Sequence, residues 1–144
     1  MKNKTQSINQ IILPYAGIMA VLCLFAQVVI AVRGSEIDFV AGLALVPAYL
    51  YYLYFHITSK DKLSKVRFGR LVAHFVAFLI VNLSYHIHAA VLSLNNINDT
   101  QGPVVNLSEG WFGVLFGMFV FWGIGLLIHM IASIAQKGYE ELDV

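Results

Sequence analysis

Charged residues are scarce in this chain of 144 residues. Only 12% of the residues are charged and 59% are hydrophobic, whereas soluble domains have roughly 25% charged and roughly 45–50% apolar residues. So few charges cannot cover the surface of a soluble globule, and so apolar a chain does not fit a disordered protein. The composition therefore predicts an integral membrane protein.

The chain also has a single cysteine, a net charge close to zero and none of three common catalytic or nucleotide-binding motifs. The single cysteine, Cys23, excludes an intrachain disulfide framework and a cysteine-rich zinc site. The formal net charge of +1 excludes a general basic field, so we expect no nucleic-acid partner. The sequence contains no Walker A loop, no G-x-S-x-G and no H-E-x-x-H. We therefore expect a protein that is not an enzyme.

Long hydrophobic runs, in contrast, occur four times. They cover residues 11–32, 39–57, 71–94 and 111–135, and clusters of charged or polar residues separate them. Each has about 20 residues, the length at which an α-helix crosses a bilayer core of about 30 Å. Backbone groups in lipid need internal partners, so each run should be helical. The prediction is an all-α integral membrane bundle of four transmembrane helices.

The Lys and Arg residues predict the orientation of these spans. Of the nine in the chain, Arg33 alone falls on one side, and the rest lie in the two tails and the middle loop. The positive-inside rule then predicts a multi-pass protein of the plasma (inner) membrane with both termini in the cytoplasm. The predicted parts are a cytoplasmic tail (1–10), an N-terminal transmembrane hairpin (11–57), a basic cytoplasmic loop (58–70), a C-terminal transmembrane hairpin (71–135) and a second tail (136–144).

The C-terminal hairpin carries two sequence motifs. His74 and Asn82 form an H-x7-N pattern, and residues 122–129 read W-G-I-G-L-L-I-H. Over residues 68–136 the chain resembles the bacterial 2TM domain family, a two-helix membrane hairpin with W-G-I-G-L-x-x-H in its second helix. Members occur as small membrane proteins and fused to bacterial sensor kinases. The resemblance implies a hairpin and a bacterial origin rather than a particular activity.

Three histidines lie at similar depths inside the spans. His56, His74 and His129 are four, four and eight residues from the nearest basic residue of the middle loop or C-terminal tail. At 1.5 Å per residue, these depths are about 6, 6 and 12 Å. Three helices can thus bring three imidazoles together, and these side chains can bind haem b or a transition metal. Histidines in membrane helices also serve as hydrogen-bonding groups between helices, and both interpretations stay open.

The third span has a polar face. At about 100° per residue, Asn82, Tyr85, His86 and His88 fall with His74 in an arc of about 160°. Such a face should meet other helices or a partner protein rather than lipid. His86 and His88 lie at opposite ends of this arc, about 160° apart, so they make a poor chelate.

Three glycines of the fourth span are predicted helix-packing positions. Gly113 and Gly117 form a G-x-x-x-G, a spacing that lets a neighbouring backbone approach closely. Gly125 lies one helical turn before His129. Because Gly125 has no side chain, it leaves room there for a neighbouring helix or for a flat ligand.

Two further features concern the first and second spans. Gln27 is strongly polar in the middle of the first span, and we expect it to bind another helix. Tyr49, Tyr51, Tyr52 and Tyr54 lie towards the end of the second span, where an aromatic belt belongs. A tyrosine-lined site is the alternative.

Two functions from different classes fit these features. The first is a small bacterial inner-membrane accessory, regulatory or sensory protein that acts through helix packing, as a homo-oligomer or with a membrane protein partner. The resemblance and the lack of catalytic motifs favour it. The alternative is a b-type haem- or metal-binding membrane redox protein whose ligands come from His74, His129 and His56.

Overall fold

The computed structural model describes residues 8–95 and 107–137, and within these ranges it contains helices and turns but no strand. The helices are α1 (Ile8–Val32), α2 (Phe39–Thr58), α3 (Lys60–Ser64), α4 (Gly69–Asn95) and α5 (Glu109–Ala135). All except α3 are long and apolar enough to cross a membrane. The predicted all-α architecture of four membrane-length helices is confirmed. Residues 1–7 and 138–144 of the predicted tails lie outside the described residues.

A capped turn fixes the start of α2. The side chain of Asp38 accepts a hydrogen bond from the backbone N–H of Ala41 at 2.8 Å, which caps the helix. The guanidinium of Arg33 pairs with the same carboxylate across the turn. Gly34 and Ser35, with φ of 80° and 61°, supply the left-handed residues that end α1. The Ala41 N–H and the Arg33 charge together hold the pKa of Asp38 below its usual range.

The four long helices pack in the order α2, α1, α4, α5. The closest backbone packing joins α1 to α2, α1 to α4 and α4 to α5. A stripe of α4 at every fourth residue is buried in the core, and it includes Ala73, Ala77 and Val81. Small residues at this spacing let helices approach closely in a membrane.

Aromatic rings fill part of the wider space between α2 and α5. The ring of Trp122 lies 4.9 Å from that of Tyr52 and 6.5 Å from that of Tyr49, measured between centroids. Beyond them the space is an apolar groove of about 330 Å³, with Gly42, Tyr49, Gly117 and Trp122 among its lining residues. We call it the α2–α5 groove.

The basic loop between α2 and α4 is folded rather than extended. It contains the short helix α3, which the sequence did not predict. Leu63 of α3 is 1% exposed and belongs to the core. A Cβ on Gly69 would collide with the backbone of Leu63, so this position requires glycine. The close contact fixes α3 against the start of α4.

Candidate functional site

Histidines from three helices meet at the end of the bundle next to the basic loop. The ring centroids of His74 and His129 are 5.1 Å apart. His56 lies 6.2 Å from His74 and 6.4 Å from His129 by the same measure. The three rings thus lie close together, as their similar depths allow, and we call these three residues the histidine cluster.

His74 is held by hydrogen bonds at both ring nitrogens. Its Nε2 lies 3.1 Å from the backbone carbonyl oxygen of Trp122, and its Nδ1 lies 2.6 Å from the hydroxyl of Tyr52. A carbonyl can only accept, so the Nε2–H donates to Trp122. Nδ1 of the neutral ring then accepts the proton of the Tyr52 hydroxyl. His74 thus connects α2, α4 and α5.

Gly125 provides the space for this imidazole. A Cβ on Gly125 would lie 2.6 Å from Cε1 and 2.7 Å from Nε2 of His74. The sequence placed Gly125 beside His129 on α5 and left open whether a helix or a flat ligand fills the gap. In the structure the ring of His74, from α4, occupies it.

His56 and Tyr15 add two buried polar atoms near the cluster. The Nδ1–H of His56 donates to the backbone carbonyl of Tyr52 at 3.0 Å. Its Nε2 and the hydroxyl of Tyr15 are buried without a hydrogen-bond partner among the described residues. The two rings are 6.0 Å apart between centroids. All four long helices therefore contribute a polar ring to this end of the bundle.

The cluster does not fit a three-histidine metal centre. Both ring nitrogens of His74 are engaged by Tyr52 and Trp122. Within residues 8–95 and 107–137, no three His, Cys, Asp or Glu side chains are placed to hold a metal ion. A metal or haem iron that used His74 would first have to break one of its two hydrogen bonds.

Most of the predicted polar face of α4 points into the bundle. His74, Asn82 and Tyr85 are 4%, 6% and 1% exposed. His86 instead is exposed in the single chain and donates from Nδ1 to the backbone carbonyl of Asn82 at 2.8 Å. This bond within its own helix satisfies the Nδ1–H donor.

The far end of the bundle contains a second polar network that connects α1 to α4. The Nδ1–H of His88 donates to the side-chain oxygen of Gln27 at 2.8 Å, and the amide of Gln27 contacts the hydroxyl of Ser84 at 3.4 Å. The ring of His88 also lies 4.9 Å from that of Trp111. Gln27 thus binds another helix as predicted.

The other two predicted packing glycines of α5, Gly113 and Gly117, lie in open space. No heavy atom lies within 4 Å of a Cβ built on Gly113 or Gly117. Within the single chain, these two positions therefore do not pack closely against another helix. Their lack of a side chain exposes the backbone of α5 on its outer face.

The tyrosines of α2 divide into two groups. Tyr54 is 63% exposed, as expected of an aromatic belt. Tyr52 instead points inward and binds His74, so the belt prediction is wrong for this residue. Tyr51 stacks on Tyr15 with ring centroids 5.8 Å apart.

No protein-family model matches this chain, and neither a curated protein nor a solved structure matches it.

Proposed function

We propose that this chain is a small accessory or regulatory protein of the bacterial inner membrane that acts by helix packing. The packing surface is the outer face of α5 together with the α2–α5 groove. Its occupant is α5 of a second copy, which gives a homodimer. In this proposal the resemblance to the 2TM domain family supplies the bacterial origin, and the basic loop and both termini face the cytoplasm.

The low burial of α5 carries the proposal. In its most apolar 18-residue stretch 6% of the residues are buried, whereas the share is 28% in each of the other three long helices. The helix is thus attached to the bundle mainly through α4. Since association in lipid depends on side-chain packing and close backbone approach, a helix with so much free surface can accept a second partner.

Two glycines on opposite walls of the α2–α5 groove support the choice of a helix as occupant. Gly42 and Gly117 both line the groove, and neither has a heavy atom within 4 Å of a built Cβ. Gly113 lies one turn from Gly117 on α5. A two-fold axis along the membrane normal would bring the Gly113 and Gly117 positions of two copies together in one self-complementary contact.

Trp122 connects this surface to the histidine cluster. Its side chain lines the α2–α5 groove, and its carbonyl oxygen accepts the hydrogen bond from His74. A helix that enters the groove would therefore act on the residue that holds His74. This connection supports a regulatory role, in which assembly and the state of the cluster affect each other.

Gly117→Leu tests the proposal against Gly17→Leu as a matched control. Both glycines lie in long helices with open space around a built Cβ, so neither change should disturb the single chain. We expect Gly117→Leu to weaken self-association by about tenfold, because the new side chain separates the two copies of α5. Gly17→Leu, on α1, should leave it unchanged. The measurement is energy transfer between dye-labelled copies in liposomes at several protein-to-lipid ratios.

Two results would reject the homodimer. One is a wild-type protein that stays monomeric at every protein-to-lipid ratio. The other is an equal loss of energy transfer in both variants, which would place the contact elsewhere.

The convergence of the histidine rings favours a second candidate, a b-type haem- or metal-binding redox protein. The hydrogen bonds of His74 weigh against it, because they engage both possible ligand atoms. An ultraviolet–visible spectrum of the purified protein separates the two functions. A Soret band with a reducible α-band would favour the haem protein over the packing protein.

A further inference from the structure

The basic loop carries charges that the rest of the described chain does not neutralise. Between residues 60 and 70 it has one acid, Asp61, and five basic side chains: Lys60, Lys62, Lys65, Arg67 and Arg70. None of these five takes part in an ion pair within residues 8–95 and 107–137. The pair formed there, Arg33 with Asp38, is at the opposite end of the bundle. The loop therefore presents net positive charge.

These cations are held in place rather than carried on a loose tail. Leu63 is buried in the core, and Gly69 packs directly on its backbone. Lys60, Lys62 and Lys65 are exposed on either side of Leu63. Because α3 is anchored, the positions of the lysines are set before any ligand binds.

The loop lies where two membrane-length helices end. Helix α2 ends at Thr58 and α4 begins at Gly69, so the segment between them is at the level of the lipid headgroups. Lys and Arg at this level are attracted to anionic headgroups, and the attraction falls off within a Debye length. An anionic lipid is the complementary partner that is always adjacent to this surface.

Arg70 supplies an independent observation. Its Nε–H is buried and has no acceptor among the described residues. Buried donors are nearly always paired, so this one indicates an acceptor outside the described residues. A phosphate oxygen suits a guanidinium because planar N–H donors match its geometry.

We infer that the basic loop is a binding surface for anionic phospholipid headgroups of the adjacent leaflet. Lys60, Lys62 and Lys65 supply the charge selectivity, and Arg70 contacts a lipid phosphate. The inference depends on the fold of the loop and not on dimer formation by α5.

The test compares a charge-removing variant with a charge-conserving one in the full-length protein. Lys60→Gln/Lys62→Gln/Lys65→Gln removes three charges, and Lys60→Arg/Lys62→Arg/Lys65→Arg keeps them. In phosphatidylcholine vesicles, electron paramagnetic resonance of spin-labelled phosphatidylglycerol and spin-labelled phosphatidylcholine gives the relative association of each lipid with the protein. We expect the wild type and the arginine variant to prefer phosphatidylglycerol. Each charge removed should reduce the preference by up to about fivefold at low salt.

Several outcomes decide the question. Loss of the preference in the glutamine variant alone, and in wild type at high salt, supports the inference. An equal preference in both triple variants, or no preference in the wild type, overturns it. All three lysines are exposed, so the variants should unfold at the same temperature in neutral lipid. That measurement excludes misfolding as the cause of a lost preference.

Discussion

The imidazole of His74 lies directly against the backbone of Gly125 on the neighbouring helix. A methyl group on that glycine would come within 2.6 Å of the ring. The ring cannot withdraw without cost, because Tyr52 and Trp122 hold its two nitrogens. Gly125, the second glycine of the W-G-I-G-L-x-x-H pattern, thus has a physical role that depends on His74, the histidine of the H-x7-N pattern.

Gly125→Ala should destabilise the protein, with Gly17→Ala as the control. We expect a loss of about 1–3 kcal/mol in unfolding free energy relative to the control, because the added methyl group overpacks a filled site. Gly17, on α1, has open space around a built Cβ, so alanine fits there. Thermal or denaturant unfolding in detergent micelles measures the difference.

A double-mutant cycle makes this prediction specific. With His74→Ala in the background the ring is gone, and Gly125→Ala should cost much less. Additive effects of the two substitutions would show that the contact does not determine the role of Gly125.

Tyr52→Phe should destabilise the bundle through His74. The change removes the hydroxyl that donates to Nδ1 and leaves that buried nitrogen without its partner. We expect a cost of about 1–3 kcal/mol, the usual penalty for an unsatisfied buried polar atom. Tyr54→Phe on the exposed side of α2 is the control and should have little effect. If the two variants unfold alike, the Tyr52–His74 hydrogen bond does not contribute to stability.

Stability should fall at acidic pH partly through Asp38. Its pKa is held below the usual range by the Ala41 N–H and then by Arg33, so the ionised form favours the folded state. This contribution is present above the pKa of an unfolded aspartate, about 3.9, and is lost as the pH falls through the lower folded pKa. Melting temperatures from pH 6 downwards should therefore fall more steeply in the wild type than in Asp38→Asn. Parallel curves would assign the acid sensitivity to other carboxyl groups.

The proposed orientation predicts opposite accessibility at the two ends of the bundle. In a Cys23→Ser background, Glu36→Cys should react with a membrane-impermeant thiol reagent in intact cells. Lys62→Cys should react only after the membrane is permeabilised, because the positive-inside rule places the basic loop in the cytoplasm. Both native side chains are exposed, so access from the correct side is not limited by burial. The reverse pattern would invert the topology, and equal labelling in intact cells would contradict four spans.

The sequence predicted the helices well because hydrophobic runs depend only on local composition. The run predicted from Leu71, for example, corresponds to a helix that begins at Gly69. The depth of a residue in its span also depends only on nearby sequence, since it follows from the number of residues to the end of the span and a fixed rise per residue. His56, His74 and His129 could therefore be placed at one end of the bundle before their contacts were known.

The contacts themselves could not be predicted, because they depend on how each helix is rotated about its axis. Gly113 and Gly117 have the better-known packing spacing, yet the close contact within the chain is at Gly125. Tyr52 and Tyr54 are two residues apart, and the rotation of α2 puts one against His74 and leaves the other exposed. Side-chain periodicity identifies a polar face, but it does not say which helix meets that face.

The two tryptophans of the chain provide an intrinsic fluorescence probe for each end of the bundle. Trp111 lies 4.9 Å from His88, and Trp122 lies 6.1 Å from His74, measured between ring centroids. Each indole is almost fully buried, so its emission depends on its own surroundings rather than on bulk solvent. In a variant that keeps only one of the two tryptophans, the emission reports on the polar network next to that tryptophan alone. A ligand, lipid or second copy that acts on one leaflet would then change one emission spectrum and leave the other as it was.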